Sequence, residues 1–285
     1  MISEKMQGYV NNSSAIRAMF EEGKKLASVY GAENVYDFSL GNPNVPAPAA
    51  VKEAALQVLN EEDPLMVHGY MSNSGYEDVR EAIAASLNRR FGTGYDAGNL
   101  VMTVGAAGGM NVIFKTLLNP GDEVIAFAPY FGEYRAYVSN YDGVLRVVPP
   151  DTETFQPNLK AFEKLLTEKT KAVIVNTPNN PTGVVYSAET LKRLADILEK
   201  KQKEWNTSIY LISDEPYREL VYGGVEVPWI PDFYRNTIVG YSFSKSLSLP
   251  GERIGYLVLP SEMDDSDAVK NAANVATRIL GYVNA

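Results

Sequence analysis

Apolar and polar positions along the 285-residue chain switch repeatedly between two periods. One is the 3.6-residue spacing of a half-buried helix, the other the short apolar run of a buried strand. Ser13-Ser14 can cap a helix from about Ala15 to Tyr30, with Ile16, Met19, Phe20 and Leu26 on one face. Val35 to Leu40 reads as a short strand, and 41–48, Gly-Asn-Pro-Asn-Val-Pro-Ala-Pro, as a turn-rich linker. Helices are expected over 49–60 and 76–91, with a loop from His68 to Gly75 between them.

From residue 100 onward, strands and helices alternate. Strands are expected at 100–104, 123–128, 144–148, 172–176, 208–213, 237–243 and 254–259. Helices are expected through Leu118, in the 130s, and over 157–167, 188–203 and 267–280. Several of these strands are apolar on both faces, as in a parallel sheet covered by helices on either side. The fold class is therefore α/β, with a mostly parallel sheet between two helical layers. The run Ile254 to Leu259 follows a short loop and is expected to pair antiparallel at a sheet edge.

Composition narrows the chemistry. Asp and Glu number 35 against 26 Lys and Arg, an acidic balance that argues against a general nucleic-acid binder. Without cysteine there are no disulfides or thiolate metal sites, and the single histidine, His68, excludes a multi-histidine centre. No apolar run reaches a membrane span, and the polar stretch 1–12 lacks the apolar core of a signal peptide. The expectation is a soluble cytoplasmic protein with no membrane partner.

The polar clusters fall at the carboxyl ends of the expected strands, where open α/β sheets bind ligands. After 237–243 comes Ser242-Phe-Ser244-Lys245, then Pro250-Gly-Glu-Arg253-Ile-Gly-Tyr. A lysine amine can form a Schiff base with a carbonyl, and an arginine fork with nearby hydroxyls can hold a phosphate. Pyridoxal 5'-phosphate carries both an aldehyde and a phosphate. Taken alone, Lys245 reads as well as a solvated loop lysine. Gly105-Ala106-Ala107-Gly108-Gly109 lies between a strand and a helix, where small residues expose backbone N–H groups to an anion or simply pack tightly. In the segment 176–183, Asn-Thr-Pro-Asn-Asn-Pro-Thr-Gly, Asn180 can donate to a phenolate oxygen, or the segment is a turn. Asp214 can ion-pair with a protonated pyridine nitrogen or cap a helix, and Tyr217 can share the phenolate with Asn180. An aromatic in Pro129-Tyr-Phe131-Gly-Glu-Tyr134 can stack on a flat ring or fill the core.

In this order, the clusters resemble the fold-type-I pyridoxal-phosphate aminotransferases of the aspartate and aromatic aminotransferase superfamily, from Leu40-Gly41-Asn42-Pro43 to the lysine segment. The resemblance implies a ping-pong transfer, through a lysine Schiff base, of an amino group from an L-amino acid (aspartate, alanine and aromatic donors being the candidates) to a 2-oxo acid. A β-lyase, a synthase, or a cofactor-binding chain without turnover are the alternatives. It implies Lys245 as the Schiff-base lysine, Asp214 as the partner of the ring nitrogen, and Asn180 and Tyr217 at the phenolate, with Asn180 also at the substrate. Phe131 takes the ring-stacking position. Ala106, Ala107, Ser242, Ser244 and Arg253 form the phosphate cup. Gly41 meets the substrate carboxylate through its backbone, and Tyr70 reaches the neighbouring subunit's phosphate, which implies a homodimer with shared active sites. The implied layout is an N-terminal arm with part of a small domain over 1–45, a large cofactor-binding domain over 46–270, and the start of a C-terminal small domain over 271–285. The family's arginine for the substrate α-carboxylate would lie beyond Ala285, so the chain reads as a fragment. Arg278 reads as a solvated helix residue or as a substrate contact in a partner's site.

Overall fold

The computed structural model describes residues 2–11, 15–38 and 41–283. The chain forms two compact units, 1–45 and 46–285. The first holds helices α1 (Glu4–Asn11) and α2 (Ala15–Tyr30), followed by a single 3₁₀ turn, Ala32–Asn34. Residues 35–38 are not a strand; the rest of that expected strand, 39–40, and the Ser13-Ser14 cap lie outside the described residues. Helix α1, with Glu4 in its first turn, falls where the sequence suggested only a polar start.

The second unit opens with α3 (Ala49–Glu61), α4 (Pro64–Val67) and α5 (Glu77–Phe91). Helix α5 has Glu77 and Asp78 in its first turn and Arg89 and Arg90 in its last, which suits the helix dipole. It ends on Gly92 in the left-handed region (φ 69°). Then follow β1 (Leu100–Val104), α6 (Gly105–Leu117), β2 (Glu123–Phe127), α7 (Tyr134–Ser139), β3 (Val144–Val148), α8 (Leu159–Leu165) and β4 (Thr170–Asn176). The series ends with α9 (Ala188–Trp205), β5 (Tyr210–Asp214), β6 (Thr237–Ser242), α10 (Phe243–Ser246), β7 (Ile254–Val258) and α11 (Ser266–Ile279). Among the described residues, no helix is long and apolar enough to cross a membrane.

The seven strands make one sheet in the order β1-β7-β6-β5-β4-β2-β3. Strands β3, β2, β4, β5 and β6 are mutually parallel. Strand β7 runs antiparallel to both β6 and β1. The antiparallel pairing matches the expectation; the edge position does not, because β1 lies outside β7. The loop from β6 is too short for the crossover that a parallel return needs. An apolar run buried on both faces carries no signal of which neighbour lies beyond it.

One apolar core, with Met110, Ile113, Phe114, Val138 and Ala273, lies between the sheet and α6, α7 and α11. A second, with Phe162, Leu191, Leu194 and Leu198, lies under α8 and α9 on the opposite face. A third joins Ala84 and Leu87 of α5 to Tyr241 and Tyr256. Burying such strands on both faces is what makes the runs at 124–126, 172–175 and 209–212 continuous rather than alternating.

The sheet positions the polar clusters through its register. Asn176 pairs with Asp214 and Asp214 with Gly240, so the ends of β4 and β5 share a row that meets β6 just before its own end. Gly255 sits between Thr103 and Ser242, continuing the rim to β1. A Cβ at Gly255 would overlap the Tyr241 carbonyl oxygen and lie 3.0 Å from the Gly105 carbonyl carbon. Both obstacles are backbone. Gly255→Ala should therefore destabilise the chain by about 1–3 kcal/mol, the usual cost of overpacking. A lowered urea midpoint at unchanged slope is the expected signature. Gly251→Ala, which meets nothing within 4 Å, should leave the midpoint in place.

Candidate active site

Asp214 ends β5 with its side chain buried, only 6 % exposed. The Tyr134 hydroxyl donates to its Oδ2, and its Oδ1 is buried with no hydrogen-bond partner. Its carbonyl accepts from Asn176 Nδ2 at 2.8 Å, which fixes the strand end. Burial pushes the carboxyl up to about 6; the Tyr134 hydrogen bond opposes this and the Glu215 charge adds to it. Asp214 caps no helix, so the capping alternative falls away.

The loop after β4 is braced from within. Thr182 donates to Asn179 Oδ1 from its backbone (3.1 Å) and its hydroxyl (2.8 Å), and Asn179 N donates to the Val184 carbonyl at 3.0 Å. Asn180 N donates to Asn176 Oδ1 at 2.7 Å, and Asn180 Nδ2 to the Tyr217 hydroxyl at 3.2 Å. Burial, then the Asp214 charge, raise the Tyr217 hydroxyl, while the bond to Asn180 lowers it. The sequence-selected trio Asp214, Asn180 and Tyr217 is thus tied together through Asn176.

Across the rim, Ser242 caps α10: its Oγ accepts from Ser244 N at 3.1 Å and donates to Ser244 Oγ at 2.8 Å. Lys245, half-buried in α10, has its amine pushed down chiefly by burial and then by the Arg253 charge. Arg253 adopts a left-handed backbone (φ 56°) and donates from Nη1 to the Pro250 carbonyl at 2.8 Å. Its Nη2 lies 2.7 Å from where a Cβ on Gly105 would be. Gly105 is also left-handed (φ 66°), so only glycine suits this position on both counts. It begins α6, whose N-terminus has no side-chain cap, leaving the first N–H groups, those of Ala106 and Ala107 among them, without helical partners. The expected glycine turn is thus the first turn of the helix itself, with a guanidinium laid against it.

Phe131 is half-buried, edge-on to Tyr134 at 5.7 Å. Tyr137, one helical turn beyond Tyr134, feels the charges of both Asp214 and Arg253, and burial first of all brings its hydroxyl up to about 12. Tyr70 is 91 % exposed and its ring lies 5.2 Å from Tyr282; Gly41 belongs to the first unit. Arg278 is exposed, as is His68, whose backbone N–H donates to the Pro64 carbonyl.

Sequence reasoning passed over Tyr134, Tyr137, Asn176 and the buried pair Glu215–Arg218. Arg218 Nε donates to Glu215 Oε2 at 2.5 Å, and its guanidinium lies 5.1 Å from the Phe91 ring and 5.3 Å from Trp229. A usable signal existed for the tyrosines: Tyr130, Tyr134, Tyr137 and Tyr141 recur at one-face helical spacing. An open cleft of about 510 Å³, lined by Asp151, Lys160 and Arg193 among others, contains none of these groups.

Residues 32–281 match the family described as aminotransferase class I and II, and the chain belongs to that family. It is 32% identical over 273 residues to an aspartate aminotransferase of Pyrococcus horikoshii, covering 95% of this chain and 64% of that protein. It is 35% identical over 248 residues to a probable aspartate/prephenate aminotransferase of Aquifex aeolicus, covering 85% of this chain and 60% of that protein. The chain thus spans less than two thirds of the length of these curated relatives. An amino transferase of Eubacterium rectale superposes with TM-score 0.95 at 47% identity, covering all of this chain and 72% of that one. The aspartate aminotransferase of Thermus thermophilus, solved with maleate, gives TM-score 0.84 at 29% identity over all of this chain and 70% of that one. The fold is the α/β fold of these aminotransferases, fold type I.

The raised Asp214 carboxyl makes stability depend on pH. The folded chain holds this proton more tightly than the unfolded one, so the residue favours folding fully below about pH 4, and that contribution is lost as pH rises through about 6. The loss is on the order of 3 kcal/mol. Asp214→Asn cannot ionise. Its unfolding free energy should gain on that of the parent chain between pH 4 and pH 7, as read by urea titration at several pH values. A constant gap across that window would show that Asp214 does not titrate there.

Proposed function

We propose that the chain binds pyridoxal 5'-phosphate and transfers an amino group from an L-amino acid to a 2-oxo acid. The observation that carries this reading is Asp214: a buried carboxylate with one oxygen unpartnered, at the end of a strand whose parallel neighbour β6 leads into the short helix of Lys245, whose amine is pushed down. A buried anion with an open acceptor fits a cationic N–H donor, which a protonated pyridine nitrogen supplies. The other end fits a phosphate: an uncapped helix start, two linked serine hydroxyls and a guanidinium held against Gly105.

The residues that would hold the cofactor are then Asp214 at the ring nitrogen, Asn180 and Tyr217 at the ring oxygen, and Phe131 against the ring. Ala106, Ala107, Ser242, Ser244 and Arg253 would hold the phosphate. When bound, the cofactor supplies a carbonyl for amines and an electron sink for the substrate α-carbon. Asp214 would keep the ring nitrogen protonated by offering it a buried anion. The bond between Asn180 and Tyr217 sets out two polar groups, an amide and a hydroxyl, for one oxygen. Lys245, with its lowered amine, is neutral in a larger fraction at neutral pH than a solvated lysine. It can therefore bond a carbonyl and, once released, act as the base that takes the α-proton.

The names of the relatives make aspartate the first donor to test. Gly41 is assigned to the substrate carboxylate through its backbone, together with Asn180. Tyr70, exposed as it is, is assigned to the phosphate of a second subunit in a homodimer. Residues 1–45 would be the arm with part of the small domain, 46–270 the large domain and 271–285 the start of the C-terminal small domain. A cytoplasmic location completes this reading.

Pyridoxal phosphate added to the purified chain should give the visible absorption of a lysine-bound cofactor, and aspartate with 2-oxoglutarate should then turn over. Lys245→Ala should abolish that absorption and lower turnover by at least about a hundredfold. Asp214→Ala should keep covalent attachment and lose most of the transfer. No visible band in the parent chain would sink the cofactor assignment. A band without turnover on any amino acid would leave binding and remove the transferase activity. Arg253→Lys should weaken cofactor affinity by about tenfold, since an ammonium cannot replace a planar fork of donors; equilibrium dialysis measures this.

A further inference from the structure

We propose that Tyr134 is a positioning residue that acts through Asp214: its hydroxyl occupies one carboxylate oxygen and favours the ionised form, so the other oxygen is left as the open acceptor for a cationic ring nitrogen. The proposal deepens the cofactor reading and rests on it. Tyr134 is the first residue of α7 and is 1 % exposed. Its backbone N–H donates to the Phe131 carbonyl at 3.1 Å. Its ring is fixed edge-on by Phe131 and lies parallel to Tyr130, at 6.4 Å and 11°. Burial and these two rings hold the Tyr134 ring in place, with its hydroxyl on the carboxylate.

The surroundings of Asp214 make this hydroxyl decisive. Burial opposes the charged form, and so does Glu215, the next residue along. Glu215 is itself held by the Ser213 hydroxyl at 2.6 Å and by Arg218 at 2.5 Å. Tyr217 and Tyr137 stay neutral phenols: burial raises both hydroxyls, with the Asp214 charge adding at Tyr217, and the Glu133 charge and then that of Asp214 adding at Tyr137. Tyr134 is the one group acting on Asp214 that favours ionisation. Its own hydroxyl is pushed well above the ordinary range, by burial first and then by Asp214, so it stays protonated and remains the donor. The remaining oxygen is unpartnered and buried. One oxygen fixed and one open is the arrangement that a single, directional N–H donor requires.

Three preparations test this: the parent chain, Tyr134→Phe, and the chain with 3-fluorotyrosine at position 134, a stronger donor of the same shape. In the ligand-free chain, carboxyl NMR of labelled aspartate should show Asp214 titrating above about 6 in Tyr134→Phe and below that in the fluorotyrosine form. Affinity for pyridoxal phosphate should fall on the order of tenfold in Tyr134→Phe. Affinity for the 1-deaza analogue, which has no ring nitrogen, should be the same in parent and variant. An unmoved Asp214 titration, or an equal loss for both ligands, would overturn the proposal, because a purely structural tyrosine would weaken both alike. If Tyr134→Phe does not fold, the fluorotyrosine form still decides through the direction of its shift. A parent chain that ignores pyridoxal phosphate would overturn the proposal together with the cofactor reading. A parent chain that binds it, with an unchanged titration in the variants, would overturn the role of Tyr134 alone.

Discussion

A carboxylate taken out of water at the end of a central strand must find donors or give up its charge. Asp214 finds one donor inside the protein, the Tyr134 hydroxyl, and keeps its second oxygen open. Much of the neighbouring architecture bears on that half-satisfied state. Asn176 clamps the strand end through the Asp214 carbonyl, Arg218 offsets the adjacent Glu215, and Tyr134 is itself packed into the apolar core. The folded chain thus carries a destabilised anion within an otherwise well-packed sheet. Local polar dissatisfaction of this kind is what a protein tolerates where a ligand will complete the set.

The α/β series was legible because its strands are continuous apolar runs and its helices have amphipathic faces with punctuated ends. Ser187 before α9 and Gly92 after α5 mark such ends. The rim was legible for a related reason: polar residues placed directly after apolar strands have few structural duties, so Asp214, Asn180 and Lys245 stood out. The position of β7 inside the sheet was not legible, since strand order is set by long-range pairing, which a local pattern does not encode. Helix α1 was missed because it is short, and its apolar stripe, Met6, Tyr9 and Val10, spans little more than one turn.

Within the candidate site, the sequence drew attention to titratable and amide side chains at strand ends and passed over the groups that hydrogen-bond to them. Tyr134 stood inside a motif already singled out, yet an aromatic reads first as packing, and its hydroxyl gains meaning only once α7 is folded over β5. Arg218 and Glu215 follow Asp214 directly in sequence. Their spacing of three residues is common to exposed and buried pairs alike, and only the folded structure shows that neither meets solvent.

The reversal of β7 has a metrical consequence. Because this strand runs against its neighbours, its beginning and not its end lies on the rim, beside the end of β6. The segment from Lys245 to Arg253 is therefore held at both ends beside adjacent strands, and the pairing of those strands works as a gauge. The spacing of the two cationic residues is set by the Ser242–Gly255 register, not by the length of the loop between them. An insertion midway along the loop would bulge outward and leave both anchors in place. A one-residue slip of β7 against β6 would recalibrate the spacing with no residue changed.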